Sequence, residues 1–125
     1  MSQTKKNKKE VGRRGEDIAA QFLEDKGYTI LDRNYNFEHA ELDIVAFQGR
    51  LIIFIEVKTR TTPAFGEPEE AIDEKKKEHL MHVAEAWMHE RRMAGAPARF
   101  DVISILYPDT PKEEVRHYEE AFWYL

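Results

Sequence analysis

Within "AELDIVAFQGRLIIFIEVKTR", residues 40–60, two apolar runs carry charges that packing alone would not choose. Glu41 and Asp43 open the first run, and Glu56 and Lys58 close the second. Strand positions beside a core ordinarily favour Val, Ile or Thr, so these residue types ask for a chemical reason. If Gln48-Gly49 is a two-residue turn, Phe47 pairs with Arg50, Val45 with Ile52, Asp43 with Phe54 and Glu41 with Glu56. Strand side chains alternate with a period of two, so this register brings Glu41, Asp43, Glu56 and Lys58 to one face. Carboxylates held so close repel one another unless positive charge lies among them. Lys58 supplies one such charge and a divalent cation would supply more; oxygen donors of this kind suit Mg²⁺ or Mn²⁺. The same residues also fit a solvated salt-bridge cluster on an edge strand, a device against aggregation.

The elements that must position these residues follow from periodicity. Residues 12–26 are predicted helical, with Val11, Gly15, Ile18, Ala19, Phe22 and Leu23 on one stripe and Gly27 as the stop. Glu16 falls on the flank of that stripe, at the border of core and water, facing whatever the helix packs on. "YTILDRNYNF" is expected as a first strand, with residues 41–47 and 51–59 as the second and third. "TTPAFGEPEE", with two prolines and a glycine, is expected as a loop. Asp73 suits an N-cap for a second helix to about residue 93, burying Leu80, Val83, Ala84 and Trp87. "ARFDVISIL" forms a fourth strand, and "VRHYEEAFWYL" adds a short closing strand. The order α-β-β-β-α-β describes an α/β single domain around a central mixed sheet.

Composition narrows the function classes. A chain of 125 residues suffices for one core, and its lack of cysteine excludes disulfides, thiolate metal sites and thiol nucleophiles. No apolar run is long enough to span a bilayer and no secretory signal is visible, so a cytoplasmic, membrane-free protein is expected. The net charge of −5 speaks against indiscriminate nucleic-acid binding. Charge is uneven, however: residues 1–14 carry a net +5 and the remainder −10. Residues 1–11 are expected as a flexible basic arm, either simply solvated or touching phosphates.

Other residues have alternative readings. Arg60 and Lys76 could hold phosphates or be merely solvated, and His79 and His82 flank the buried stripe of the second helix rather than a metal. Asp101, interrupting a strand, is expected to satisfy a buried backbone group or to cap a neighbour. The terminal "FWYL" suits core or a homodimer interface better than base stacking.

Asp43 followed by Glu56-Val57-Lys58 at the end of an apolar strand resembles the D…(D/E)-x-K signature of restriction-endonuclease-like nucleases. More narrowly, "GRRGEDIAAQFLEDKGYTIL", "RNYN", "AELDIVA", "LIIFIEVKTR", "FGEPEEAI" with Lys76, and "ARFDVISI" resemble the YraN-like bacterial family, which is similar to Holliday-junction resolvases. The family usually shows Gly-Glu-Ile-Asp where this chain has Ala40-Glu41-Leu42-Asp43. The resemblance implies a restriction-endonuclease-like nuclease domain over residues 12–125, acting on DNA, branched DNA included, with Mg²⁺ or Mn²⁺. It implies that Asp43 and Glu56 ligate the metal with the Val57 carbonyl. Lys58 would orient water or neutralise charge on the phosphate, and Glu16 would complete the shell through a water. The other class compatible with the sequence is a non-catalytic module that keeps the fold and binds nucleic acid or a partner protein.

Overall fold

A computed structural model of the chain describes residues 8–61 and 73–122. The element order is α1 (Lys8–Asp25), β1 (Thr29–Phe37), β2 (Ala40–Gln48), β3 (Leu51–Arg60), α2 (Glu74–Glu90), β4 (Ala98–Leu106) and β5 (Glu114–Phe122). The five strands form one sheet in sequence order, with β3–β4 parallel and the other three pairs antiparallel. The expected mixed sheet is therefore present, and the closing strand is a full member of it. Helix α1 begins four residues before residue 12, so residues 8–11 are helical rather than part of an arm. The rest of the arm, most of the "TTPAFGEPEE" loop and the last three residues lie outside the described part. Among the described residues no helix is long and apolar enough to cross a membrane.

The helices cover opposite faces of the sheet, which explains the nearly unbroken apolar runs of β3 and β4. On one face α1 sets Ala19, Ala20 and Leu23 against Ile44, Ala46, Ile53, Ile55, Ile103 and Ile105. On the other, α2 sets Leu80, Val83, Ala84 and Trp87 against Leu42, Val45, Ile52, Phe54, Phe100 and Val102. Trp87 meets Phe54 edge-to-face at 5.9 Å between ring centroids. Each such fully buried large side chain contributes about 1.5–3 kcal/mol. Asp73 caps α2 as expected, its carboxylate accepting the Lys76 N–H at 2.8 Å.

Two local features set the site. The β2–β3 turn is Gly49-Arg50, not Gln48-Gly49: Gln48 pairs with Leu51, and Val45 with Phe54. Glycine decides this. Gly49 has φ +64°, and a two-residue hairpin turn with a positive φ only at its first central residue takes glycine there, whereas the expected turn would have strained Gln48. The register thus moves by two residues, which preserves the facing of every side chain in the hairpin. The second feature is Gly15, where an added Cβ would lie 1.9 Å from Thr59 Oγ1. The missing side chain lets α1 rest directly on the end of β3, one residue before Glu16.

Candidate functional site

The regular ladder between β2 and β3 runs as far as Ile44 with Ile55. Just beyond it, Asp43 turns its carboxylate into the space between the strands, and Oδ2 accepts the Val57 N–H at 2.8 Å. The side chain thus takes a backbone donor that ladder pairing would otherwise use. Across the β1–β2 ladder from Asp43 stands Asn34, with φ +54°. This left-handed residue reverses the alternation. Arg33 and its partner Ile44 face α1, where Arg33 pairs with Asp17 at 2.7 Å. Tyr35 and its partner Leu42, two residues on along each strand, pack on the α2 side.

That reversal separates residues expected together on one face. Glu41 falls on the α1 side, where oxygens of Glu16, Glu41 and Asp43 all lie within 4.8 Å of one another. Glu56 and Lys58 share the face of Phe54, the α2 side. Glu56 is only 7% exposed, and its Oε1 lies 3.4 Å from both Lys58 Nζ and Lys76 Nζ, the latter in the first turn of α2. Asp43 sits between the two groups and feels both. Four carboxylates and two lysines therefore meet around the gap between β2 and β3, with Asp43 as the hinge of the arrangement.

The electrostatics bear the mark of crowding. Burial, then the neighbouring Glu56, Glu16 and Glu41, push the Asp43 carboxyl up to about 8, against the Val57 hydrogen bond that favours its ionised form. The Glu16 carboxyl is also raised, by burial first and by Glu41 next, while a hydrogen bond from Asn34 works the other way. Glu16 Oε1 is buried without a hydrogen-bond partner. An orphaned buried oxygen, two further carboxylates within reach and only oxygen donors together fit a hard divalent cation such as Mg²⁺ or Mn²⁺.

The remaining candidates are placed as follows. Val57 is half-buried, with its N–H engaged by Asp43. Arg60, at the end of β3, is half-buried and its carbonyl accepts the Tyr107 N–H at 2.8 Å. Lys76 is brought to the site through Glu56 by the Asp73-capped first turn. His82 lies 3.0 Å from Glu38 and against the Phe37 ring, away from the carboxylates. Asp101, itself fully buried, accepts the part-buried Glu120 N–H at 3.0 Å, and also meets Arg99 at 2.9 Å and His117 at 2.7 Å. Ala40, where the family pattern has glycine, pairs with Phe37 next to the Glu38-His39 turn and needs no positive φ. Sequence reasoning overlooked Asn34. Its signal was present in "RNYN", since asparagine is among the few residues that adopt the left-handed region readily.

Comparison with known proteins gives one consistent result. The model of the Uncharacterised protein family UPF0102 matches residues 15–105. The chain is 42% identical over 118 residues to a UPF0102 protein of Geotalea daltonii, covering 94% of this chain and 93% of the relative. It is 43% identical over 114 residues to one from Geobacter sulfurreducens, covering 90% and 88%. A Clostridium perfringens relative is 39% identical over 119 residues, covering 94% and 98%.

Proposed function

The chain belongs to the UPF0102 family, the YraN-like group it resembles in sequence, and we propose that it is a divalent-metal-dependent endonuclease hydrolysing phosphodiester bonds of DNA. The observation that carries this reading is the convergence of Glu16, Glu41 and Asp43 within 4.8 Å, beside a buried Glu56 and its lysines. Glu16, Glu41 and Asp43 would hold Mg²⁺ or Mn²⁺, with Glu56 the fourth carboxylate in electrostatic reach of Asp43. A bound divalent cation supplies a water of near-neutral pKa and polarises a phosphate oxygen.

The chain's own residues supply the rest. Asp43 is oriented by the Val57 N–H, which fixes one carboxylate oxygen while the carboxylate stays within reach of Glu16 and Glu41. Lys58 provides a preorganised positive charge, 21% exposed, where negative charge accumulates on the phosphate as water adds and the leaving oxygen departs. Glu56 holds Lys58 and Lys76 at equal distance, so both amines are positioned before substrate arrives. The likeness to Holliday-junction resolvases makes branched DNA the first substrate to try.

Calorimetric titration of Mn²⁺ into the wild type and Asp43→Asn, alongside cleavage of linear duplex, single strand and four-way junction, tests the reading. Saturable binding lost in Asp43→Asn, with cleavage that chelator abolishes, is the expected result. Saturable binding at this site without cleavage of any substrate would sink the nuclease reading and favour a nucleic-acid-binding module. The net charge of −5 is the observation on the side of a non-catalytic module, and of a protein rather than a nucleic-acid partner for it, since an acidic surface repels a polyanion.

A further inference from the structure

The carboxylates proposed to hold the cation converge on the α1 side of the sheet, while Lys58 and Lys76 stand on the α2 side. The proposed reaction thus leaves the carboxylates' own side without a group for the anion. Arg33 stands there. Its ladder partner is Ile44, the residue next to Asp43, and both face α1. Asn34, left-handed at φ +54°, lets Arg33 keep this side while Tyr35 turns to the other. Arg33 Nη2 donates to Asp17 Oδ1 at 2.7 Å, and Asp17 directly follows Glu16 in α1. Of the cations, it is Arg33 whose charge bears on the Glu16 carboxyl.

Two features leave this guanidinium available. Its side chain is 35% exposed and that of Asp17 54%, so the pair lies at the water-facing margin of the carboxylates. An ion pair so exposed is held weakly. The contact is also one-sided. Arg14 engages Asp109 through Nε at 2.7 Å and Nη2 at 2.8 Å, whereas Arg33 gives Asp17 only Nη2. Among the described residues its Nε and Nη1 have no partner, and a guanidinium with spare N–H groups matches two oxygens of a phosphate.

We propose that Arg33 is a phosphate clamp for a nucleic-acid strand, leaving Asp17 to close two N–H groups on a backbone phosphate as the strand reaches Glu16, Glu41 and Asp43. The proposal rests on the nucleic-acid reading of the site but not on catalysis. Asp17 acts as a latch: it keeps the guanidinium in place before the strand arrives, and it competes with the phosphate for the same donors. Removing Asp17 and removing Arg33 therefore move binding in opposite directions. A pair that merely ties β1 to α1 would not behave so, because either removal breaks the same tie.

The test is fluorescence anisotropy in Mn²⁺ with a labelled linear duplex and four-way junction, both carrying non-cleavable phosphorothioate linkages. Arg33→Gln should weaken binding about threefold to tenfold and lower the salt slope by about one. Arg33→Lys should keep the slope and recover only part of the affinity, since an ammonium lacks the fork. Asp17→Asn should tighten binding about twofold to fivefold, the strength of an exposed pair released. In the Arg33→Gln background that gain should shrink to the level of Asp25→Asn, the same charge change about two turns further along α1. In urea unfolding Arg33→Gln and Asp17→Asn should lose the same small amount of stability, so binding shifts of opposite sign cannot come from lost structure. Binding that falls in both single variants, or changes in neither, would overturn the clamp even where metal-dependent cleavage is found. Opposite shifts, with no cleavage of unmodified DNA by the wild type, would keep the clamp and remove the nuclease. A wild type that binds neither DNA would overturn the clamp outright.

Discussion

Replacing Asp43 with Asn should stabilise the metal-free protein, and increasingly so as the pH rises. The substitution is close to a pure charge deletion, because the amide oxygen can still accept the Val57 N–H that Asp43 takes at 2.8 Å. Burial and then Glu56, Glu16 and Glu41 lift the Asp43 carboxyl from its ordinary 3.8 to about 8. A folded-state value above the unfolded one means that the folded state holds the proton more tightly. Its stability is therefore intact below the unfolded value, falls as the pH climbs from about 4, and has lost the whole contribution above about 8. The span corresponds to on the order of 5 kcal/mol, against the ~5–15 kcal/mol that holds a domain of this size. Water reaching the gap between β2 and β3 screens the repulsion, so a gain of about 2 kcal/mol for Asn at alkaline pH is the expected measurement. Urea unfolding in EDTA across that pH range, followed by circular dichroism, gives the number. With Mn²⁺ added the order should reverse, since only the wild type gains from binding. Two unfolding profiles that stay parallel from acid to alkaline pH would refute the crowded-carboxylate account of this site.

Three smaller perturbations probe the frame. Gly15→Ala should cost about 1–3 kcal/mol in denaturant unfolding, because its Cβ would meet Thr59 Oγ1 at 1.9 Å and Thr59 Cβ at 3.0 Å, which no rotation of Thr59 relieves. Adding Thr59→Ala should recover part of that loss. Asp101→Asn should cost about 3 kcal/mol, because the largely buried Arg99 would be left with the exposed Glu119 at 3.7 Å as its carboxylate. Burial works to raise the Asp101 carboxyl, yet hydrogen bonds from His117, Arg99 and the Glu120 N–H together hold it below its ordinary 3.8; the gap between variant and wild type should narrow as acid protonates it. Asp73→Ala should lower stability by about 1 kcal/mol through the lost cap, and loosen Lys76 from Glu56, read as a small drop in oligonucleotide affinity.

What the sequence made legible was local. The second helix, its Asp73 cap and its buried Leu80, Val83, Ala84 and Trp87 follow from a 3.6-residue period and a capping residue, and both are as expected. The fourth strand agrees residue for residue because a fully buried parallel strand is a plain apolar run. The hairpin register was missed by two residues, since the demand for glycine at the first central turn position outweighed the order in which Gln48 and Gly49 were read. Glu56 nevertheless lies next to Asp43, because the observed register continues from Ile44 and Ile55 to Asp43 and Glu56, where the expected one set Glu41 against Glu56. The split of the carboxylates between two faces was not legible. It depends on Asn34 taking a left-handed conformation inside a strand, a choice that periodicity does not register and that only the neighbouring strand reveals.

That split has a thermodynamic consequence on the proposed reading. Glu16, Glu41 and Asp43 lie toward α1, while Lys58 and Lys76 lie toward α2, so negative and positive groups meet across the thickness of one sheet. Without a cation, a phosphate approaching Lys58 is opposed by carboxylates a few ångströms away. A divalent cation among them cancels most of that charge and leaves the lysines to dominate. The two ligands must then favour each other by the same factor, because linkage between binding equilibria is reciprocal. An overall charge of −5 therefore does not argue against a polyanion in the cation-bound state. The measurable form is symmetrical: a non-cleavable phosphorothioate oligonucleotide should tighten Mn²⁺ binding by the factor that Mn²⁺ tightens the oligonucleotide. In Asp43→Asn both factors should fall together toward unity. A factor that survives on one side alone would place the cation and the phosphate at unrelated sites.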